Sequence, residues 1–242
     1  MPIVKPQISM ENKSSPLVTI ITVSFNTEQH LESTIQSIIN QTYRNIEYIV
    51  IDGGSTDKTV DIIKKYQEHI NYWVSEPDRG IYDAMNKGWS IAKDDSYILF
   101  LGAGDRIEEL PDLSRYDNCL GIFGNVMLGR DRMYRSTADF RIRLGNTLHH
   151  QALLIHKSVH TNPPFNLAYK AYADYEFNAR LYNQGVKFIF DSSFLSYALP
   201  GGLTEKFHFE ESQLIIRSNF GKFWEIMSTV YYQYQNMKYG SK

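Results

Sequence analysis

The stretch Ser96-Tyr97-Ile98-Leu99-Phe100-Leu101-Gly102-Ala103-Gly104-Asp105 decides how the chain is read. An unbroken apolar run, too short to cross a membrane, that ends in two glycines and a carboxylate predicts a strand buried on both faces that releases its chain at a site. In open α/β sheets ligands bind beyond the carboxyl ends of the strands, and glycines there let a ligand reach the backbone without meeting a Cβ. Asp105 in that place can hold a divalent metal, or it can do no more than cap the following turn. Its company along the chain decides between the two.

Upstream, Leu17-Val18-Thr19-Ile20-Ile21-Thr22-Val23-Ser24 is β-branched and nearly continuous, the pattern of a central parallel strand. Asn26-Thr27-Glu28 then opens a helix whose Leu31, Ile35, Ile38 and Ile39 fall on one face. A second strand, Ile46-Glu47-Tyr48-Ile49-Val50-Ile51-Asp52, runs into Gly53-Gly54-Ser55-Thr56-Asp57 and a helix carrying Val60, Ile63 and Tyr66, which makes a βα unit. Tyr72-Trp73-Val74 is a short strand, Glu76-Pro77-Asp78-Arg79-Gly80 a polar turn, and Ile81, Ala84, Met85 and Trp89 mark the apolar side of a helix leading into the anchor strand. Such alternation predicts an α/β fold with a doubly wound, mainly parallel sheet. Neither GxGxxG nor a Walker loop occurs, so the common dinucleotide and P-loop readings lose their support.

Beyond Asp105 the pattern changes. Residues 119–128, 132–136 and 150–155 read as shorter strands, which predicts a mixed extension of the sheet. A helix is predicted over 172–184, with Asp174 at its start and Phe177 and Leu181 on one stripe. A carboxylate at the front of a buried helical face either has a role, since burial without a partner is costly, or is a first-turn Asp favoured by the macrodipole. Val186-Lys187-Phe188-Ile189-Phe190 returns as a strand, and Pro200-Gly201-Gly202 forms a loop able to fold over a ligand. The last segment spaces Ile216, Phe220, Phe223, Met227, Val230, Tyr234 and Met237 alternately four and three residues apart. That stripe predicts a long amphipathic helix or a helix pair, packed on its own domain, on a second copy or on a membrane surface.

Composition sets outer bounds. The 242 residues, 43% hydrophobic and 14% aromatic, suffice for one sizeable core and speak against disorder over most of the length. With Lys+Arg 25 against Asp+Glu 27 and no basic run, nucleic acid is not an indicated partner. The one cysteine, Cys119, lies in the apolar run Cys119-Leu120-Gly121-Ile122-Phe123 and reads as a buried small hydrophobe; a reducing compartment fits. No signal-peptide h-region and no apolar stretch of roughly 20 residues occur, so a soluble or peripheral protein is expected.

Four motifs carry a resemblance. Thr22-Val23-Ser24-Phe25-Asn26, Ile51-Asp52-Gly53-Gly54-Ser55-Thr56-Asp57, Asp78-Arg79-Gly80-Ile81-Tyr82-Asp83-Ala84-Met85-Asn86-Lys87-Gly88 and Phe100-Leu101-Gly102-Ala103-Gly104-Asp105 resemble, in order, the N-terminal signatures of family 2 glycosyltransferases. The likeness covers about residues 16–106; His150-Gln151 and Ala173-Asp174-Tyr175-Glu176-Phe177 look like later landmarks, and 205–242 matches nothing in the family. It implies a GT-A fold whose catalytic domain (16–204) has a nucleotide half (16–106) and an acceptor half (107–204); residues 1–15, polar and without periodicity, read as a loose arm, and the striped segment 205–242 as C-terminal helices. It also implies inverting transfer of a sugar from a nucleotide-diphosphate sugar, UDP-sugar favoured, to a hydroxyl acceptor in polysaccharide or glycolipid assembly. The place of action implied is the cytoplasm or the inner face of the cell membrane.

The residue roles implied by the resemblance can be checked against chemistry. A carboxylate at a strand end accepts the N–H of a nucleobase, the role implied for Asp52; Thr22, Val23, Asp78 and Arg79 would hold the nucleotide, and Asn86, Gly104 and His150 the donor sugar and phosphates. The leaving diphosphate calls for a cation, and Asp105 matches the metal ligand, for Mn²⁺ or Mg²⁺; the pattern is departed from at Gly104, where another acid is common. Inversion needs a base opposite the leaving group, and Asp174 matches that position, with Glu176 its competitor two residues on. The expected partners are a nucleotide-sugar donor and a saccharide or lipid-linked saccharide acceptor, with residues 205–242 a candidate seam for a homodimer or a membrane. Two other classes stay open: a catalytically silent nucleotide-sugar binding module, and a nucleotidyltransferase, whose basic glycine-rich signature Asn26-Thr27-Glu28-Gln29 does not provide.

Overall fold

The computed structural model describes residues 15–159, 163–201 and 208–239. The expected arm, apart from Ser15, and Gly202 of the expected loop lie outside these residues. Strands β1 (Leu17–Ser24), β2 (Ile46–Asp52), β3 (Tyr72–Ser75) and β4 (Ser96–Gly102) run parallel in the order β3-β2-β1-β4. Alternation along β1 assigns its two faces. Val18 and Ile20 pack with Leu31, Ile35 and Ile38 of α1 (Leu31–Ile39) and Ile63 of α2 (Thr59–Lys65). Ile21 and Val23 pack on the other side with Met85 and Trp89 of α3 (Ile81–Ile91). A strand covered on both faces has no place for polar alternation, which is why these runs are continuously apolar. The first helix begins at Leu31, later than the expected opening at residues 26–28, because Asn26 takes a positive φ and its side chain holds the backbone of Thr56.

The extension is mixed, as expected. β8 (Leu153–His156) pairs antiparallel with β4, β6 (Gly121–Leu128) antiparallel with β8, and β9 (Phe188–Ala198) parallel with β6. β7 (Arg132–Tyr134) forms a hairpin on β6, and β5 (Arg106–Glu109), which has no apolar run of its own, closes the edge against β9. The strand expected to end at Phe190 continues to Ala198, past a bend at which Asp191 accepts from the backbone and hydroxyl of Ser193. Opposite that bend stands Gly124, where a Cβ would lie 2.0 Å from the carbonyl of Phe194. Residues 150–152, expected as strand, form a 3₁₀ turn that ends where β8 begins.

Three helices complete the chain: α4 (Ala173–Asn183), α5 (Phe209–Phe220) and α6 (Lys222–Tyr239). The expected stripe is a helix pair, broken at Gly221, whose φ of 88° ends α5 as glycine does at helix C-termini. Its first residue, Ile216, is buried in the main core, whereas Phe223, Met227, Val230, Tyr234 and Met237 are exposed. No helix among the described residues is long and apolar enough to cross a membrane.

One side chain joins the ends of three strands. The fully buried carboxylate of Asp52, at the end of β2, accepts from Ser24 Oγ at the end of β1 (2.9 Å) and from Ser75 Oγ at the end of β3 (2.6 Å). It also accepts from the backbone of Gly54 (3.2 Å) and from the backbone and hydroxyl of Ser55 (2.8 and 2.6 Å). An amide in its place would turn an NH₂ toward donors, so Asp52→Asn is expected to cost about 1–3 kcal/mol in urea unfolding, a buried donor being left unmet. Gly124→Ala is expected to cost about 1–3 kcal/mol by the same measurement, since the strand carbonyl it meets is backbone and cannot swing aside.

Candidate active site

A cleft of about 1040 Å³ opens beyond the carboxyl ends of β1 and β4, the place where strand order reverses from β1 to its neighbours β2 and β4. Val23 and Phe25 from the end of β1 and Asp78 from the turn before α3 line one end; Asp78 accepts from the backbone of Gly80 (2.8 Å) and is half-buried. Gly102 and Asp105 form the floor, His150 and Gln151 the 3₁₀ turn beside it, and Asp174 the wall contributed by α4. Tyr134, His149 and Tyr232 make an aromatic far end.

The floor is held from three sides. Thr34 of α1 donates to the carbonyl of Asp105 (2.7 Å) and accepts from the backbone of Gly104 (2.7 Å). The Asp105 carboxylate accepts from the backbone of Leu199 (2.9 Å) at one oxygen, and from the backbone of Gly102 (3.0 Å) and Gln151 Nε2 (3.2 Å) at the other. Burial nonetheless pushes its pKa up, outweighing these donors and the nearby His150. Gln151 Oε1 is buried and has no hydrogen-bond partner, an acceptor beside the carboxylate without a donor.

Asp174 stands in the first turn of α4, at 6% exposure, with both oxygens engaged. Tyr82 Oη (3.1 Å) and the backbone of Tyr175 (2.8 Å) donate to Oδ1, and His150 Nδ1 lies 3.3 Å from Oδ2. Burial works against the charge of Asp174, yet the hydrogen bond and charge of His150 hold its pKa below the ordinary value. For His150, burial works the same way and loses to the hydrogen bond and charge of Asp174, with Asp105 behind, so its pKa rises. The adjacent His149 goes the opposite way: burial first, then the charge of His150, bring it down to about 4. Glu211 of α5 anchors the approach to this helix, its carboxylate accepting from the backbones of Lys170 (3.0 Å), Ala171 (2.8 Å) and Tyr172 (2.6 Å).

Of the residues singled out in the sequence, Val23, Asp78, Asp105, His150 and Asp174 line the one cleft. Five others do not. Thr22 is buried in β1, where its hydroxyl accepts from Tyr48 Oη (3.2 Å). The Asp52 carboxylate is turned to the five donors named above and is not among the residues that line the cleft. Arg79 pairs with Asp83 (2.8 Å) and, with Asn86, borders a separate depression of about 410 Å³. Asn86 itself is spent on both backbone groups of Phe165, donating to the carbonyl (2.8 Å) and accepting from the N–H (3.0 Å). At Gly104 the φ of 106° and a Cβ position 2.5 Å from Leu199 Cδ2 explain the departure from the family pattern, since no acid fits there without displacing Leu199. Glu176, the competitor for Asp174, turns instead to Arg180 (3.0 Å) in the second depression.

Sequence reasoning had no role for Tyr82, Gln151 or Glu211, or for the aromatic trio. Tyr82 stands inside a quoted motif four residues after Asp78, yet its bond to Asp174 spans 92 positions, and no local pattern reports such a pairing.

The profile of Glycosyl transferase family 2 matches residues 19–114. A PGL/p-HBAD biosynthesis glycosyltransferase of Mycobacterium bovis (strain BCG / Pasteur 1173P2) is 31% identical over 184 residues, 70% of this chain and 71% of that protein. An uncharacterized glycosyltransferase of Mycobacterium tuberculosis (strain ATCC 25618 / H37Rv) is 38% identical over 141 residues, 54% of this chain and 53% of that protein. Among solved structures, Staphylococcus aureus TarS 1–349 in complex with UDP superposes with a TM-score of 0.65 at 21% identity, covering 82% of this chain and 64% of that one. A mannosyltransferase of Pyrobaculum calidifontis in complex with GDP-Man and Mn²⁺ gives 0.58 at 16%, covering 86% and 62%. The architecture is thus the GT-A fold expected from the motifs. With identity above 30% across more than two thirds of both chains, the protein belongs to glycosyltransferase family 2 and is a transferase.

Proposed function

We propose that the protein moves a sugar, with inversion, from a UDP-sugar to a hydroxyl of a saccharide or lipid-linked saccharide. The observation that carries this reading is the convergence of Asp105 and Asp174 on one cleft with His150 between them, their pKa values displaced in opposite directions. Two acids set apart in this way divide the labour of a displacement. Asp174, kept ionised, receives the acceptor proton as the hydroxyl oxygen bonds to the anomeric carbon and becomes acidic. The bond from that carbon to the diphosphate oxygen breaks on the opposite side, where charge must be stabilised.

A divalent cation suits the floor on chemical grounds. Asp105 has an oxygen with a single donor, and Gln151 Oε1 has none; both are hard oxygen ligands. Among the described residues no three His, Cys, Asp or Glu side chains gather to hold a metal, so the fitting cation is one that takes its remaining ligands from substrate phosphate and water. Mn²⁺ and Mg²⁺ answer that description, and bound there either would neutralise the departing diphosphate. Binding would also favour the ionised form of Asp105 against the burial that opposes it. Asp78 and the backbone near Val23 would meet the nucleotide, a reading supported by their position in the cleft lining. Tyr134, His149 and Tyr232 offer ring faces to an acceptor. Support for a glycolipid or polysaccharide acceptor comes from the mycobacterial relative, named for PGL/p-HBAD biosynthesis.

Asp174→Asn is expected to lower kcat about 10²-fold or more while the Kd for UDP in Mn²⁺ stays within about twofold, read by released UDP and by calorimetry. A matching loss of UDP affinity would take the base role away from Asp174. Chelation by EDTA is expected to abolish donor binding that Mn²⁺ restores, and Asp105→Asn to blunt that restoration; turnover indifferent to chelator overturns the metal. The His150–Asp174 pair has a pH signature. Because the pKa of His150 is raised in the fold, its contribution is full below the ordinary 6.5 and is lost as pH rises through the folded value. Because that of Asp174 is lowered, its contribution is full above the ordinary 3.8 and is lost as pH falls through the folded value. The Tm deficit of His150→Gln is therefore expected to be larger at about pH 5 than at about pH 9.

A further inference from the structure

Helix α6 has two opposed faces. Ser228 donates to the carbonyl of Leu144 (2.7 Å), Trp224 lies under the guanidinium of Arg143 (5.1 Å), and Tyr232 lines the cleft, so this face is packed on residues 143–145 and on α5. The opposite face carries Phe223 (66% exposed), Ile226 (54%), Met227 (42%), Val230 (55%), Tyr234 (54%) and Met237 (75%). Their spacing of three and four residues aligns them in one stripe, and an apolar stripe of this extent left in water marks an interaction surface.

Charge identifies what covers it. The stripe holds no acid: Glu225, the sole acidic residue of α6, is turned to Arg217 (3.8 Å). The segment 130–141 reaches the stripe's edge through Arg141 and Tyr134, and in it Arg130, Arg132, Arg135 and Arg141 stand against Asp131 and Asp139, in a chain whose net charge is −2. Arg130, Arg132 and Arg135 are exposed, and none has an ion pair among the described residues. Arg141, paired with Asp139, is exposed too, and it lies within electrostatic reach of Tyr231 on the edge of the stripe and of Tyr134 on β7. Phe140 beside it is 57% exposed. Along this edge four arginines, Arg130, Arg132, Arg135 and Arg141, outnumber the two acids Asp131 and Asp139, an excess that calls for a negative partner. A surface of negative headgroups over acyl chains meets both halves of the patch at once.

We infer that the outer face of α6, with the arginine-rich segment 130–141 along its edge, docks the protein on an anionic lipid surface. The helix then lies in the plane of the interface, its apolar stripe among the acyl chains and the arginines at the headgroups. Its packed face forms part of the cleft wall, so the site opens within about one helix diameter, ~10 Å, of the lipid. The inference rests on the surface alone and stands whichever sugar is transferred.

Flotation of the full chain with vesicles tests it. Recovery with phosphatidylcholine vesicles containing phosphatidylglycerol is expected to exceed recovery with phosphatidylcholine alone by about tenfold or more at low salt. The double variant Val230→Glu, Tyr234→Glu should lose flotation, and Arg132→Gln with Arg141→Gln should lose the dependence on phosphatidylglycerol; both should keep the wild-type Kd for UDP, which reports the fold and the donor site separately. The proposal is overturned if the wild type does not float, if flotation ignores lipid charge, or if the glutamate variant floats as well as wild type. It is also overturned if light scattering shows a dimer that the glutamate variant dissolves, which would give the stripe to a second copy.

Discussion

The carboxylate of Asp52 is the constraint on which the site end of this molecule rests. Parallel strands leave their last residues without a common partner, and here one buried acid gathers donors from the ends of β1 and β3 and from the turn after β2. Such a group is stable in the interior only because every lone pair direction is met. The consequence is spatial. Val23 and Phe25 leave β1, and Asp78 leaves the turn beyond β3, from ends held at a common level, so this end of the cleft has a rigid rim.

A second node repeats the logic at the other end of the site. Tyr82 from α3, His150 from the 3₁₀ turn before β8 and the backbone of α4 converge on Asp174, while Glu211 from α5 holds the chain that leads into it. Each partner comes from a different element, so the orientation of the carboxylate is set by the packing of α3, the 3₁₀ turn and α4 together. The two acids of the cleft differ because their surroundings differ: Asp174 has an imidazole in contact, whereas Asp105 has only neutral donors and a more distant histidine. Burial therefore prevails at one and fails at the other.

The C-terminal helices are part of this arrangement rather than an addition to it. Glu211 and Tyr232 reach the approach to α4 and the cleft, and Arg143 stacks on Trp224 of α6 and Tyr182 of α4. The same helix that walls the cleft leaves its apolar stripe in water, which separates the residues that serve the site from those that face outward.

The parallel half of the fold was legible in the sequence because its signals are local: buried strands are continuous apolar runs, and amphipathic helices repeat on one face. The same holds for Asp105 and Asp174, each placed at an element's end by a pattern a few residues long. Other motif residues lie off the cleft for one reason. Asp52, Asn86 and Arg79 occupy motif positions, but whether a polar side chain meets a ligand or a neighbouring strand depends on which donors the fold brings within about 3 Å. Edge strand β5, the bend in β9 and the bond from Tyr82 to Asp174 likewise depend on partners far along the chain. Sequence alone determined the order of strands and helices in the parallel half and the positions of the two acids at element ends, because propensity and periodicity act over one element. Tertiary structure decided which polar groups were left free to act, because hydrogen-bond capacity is shared out only when distant elements meet.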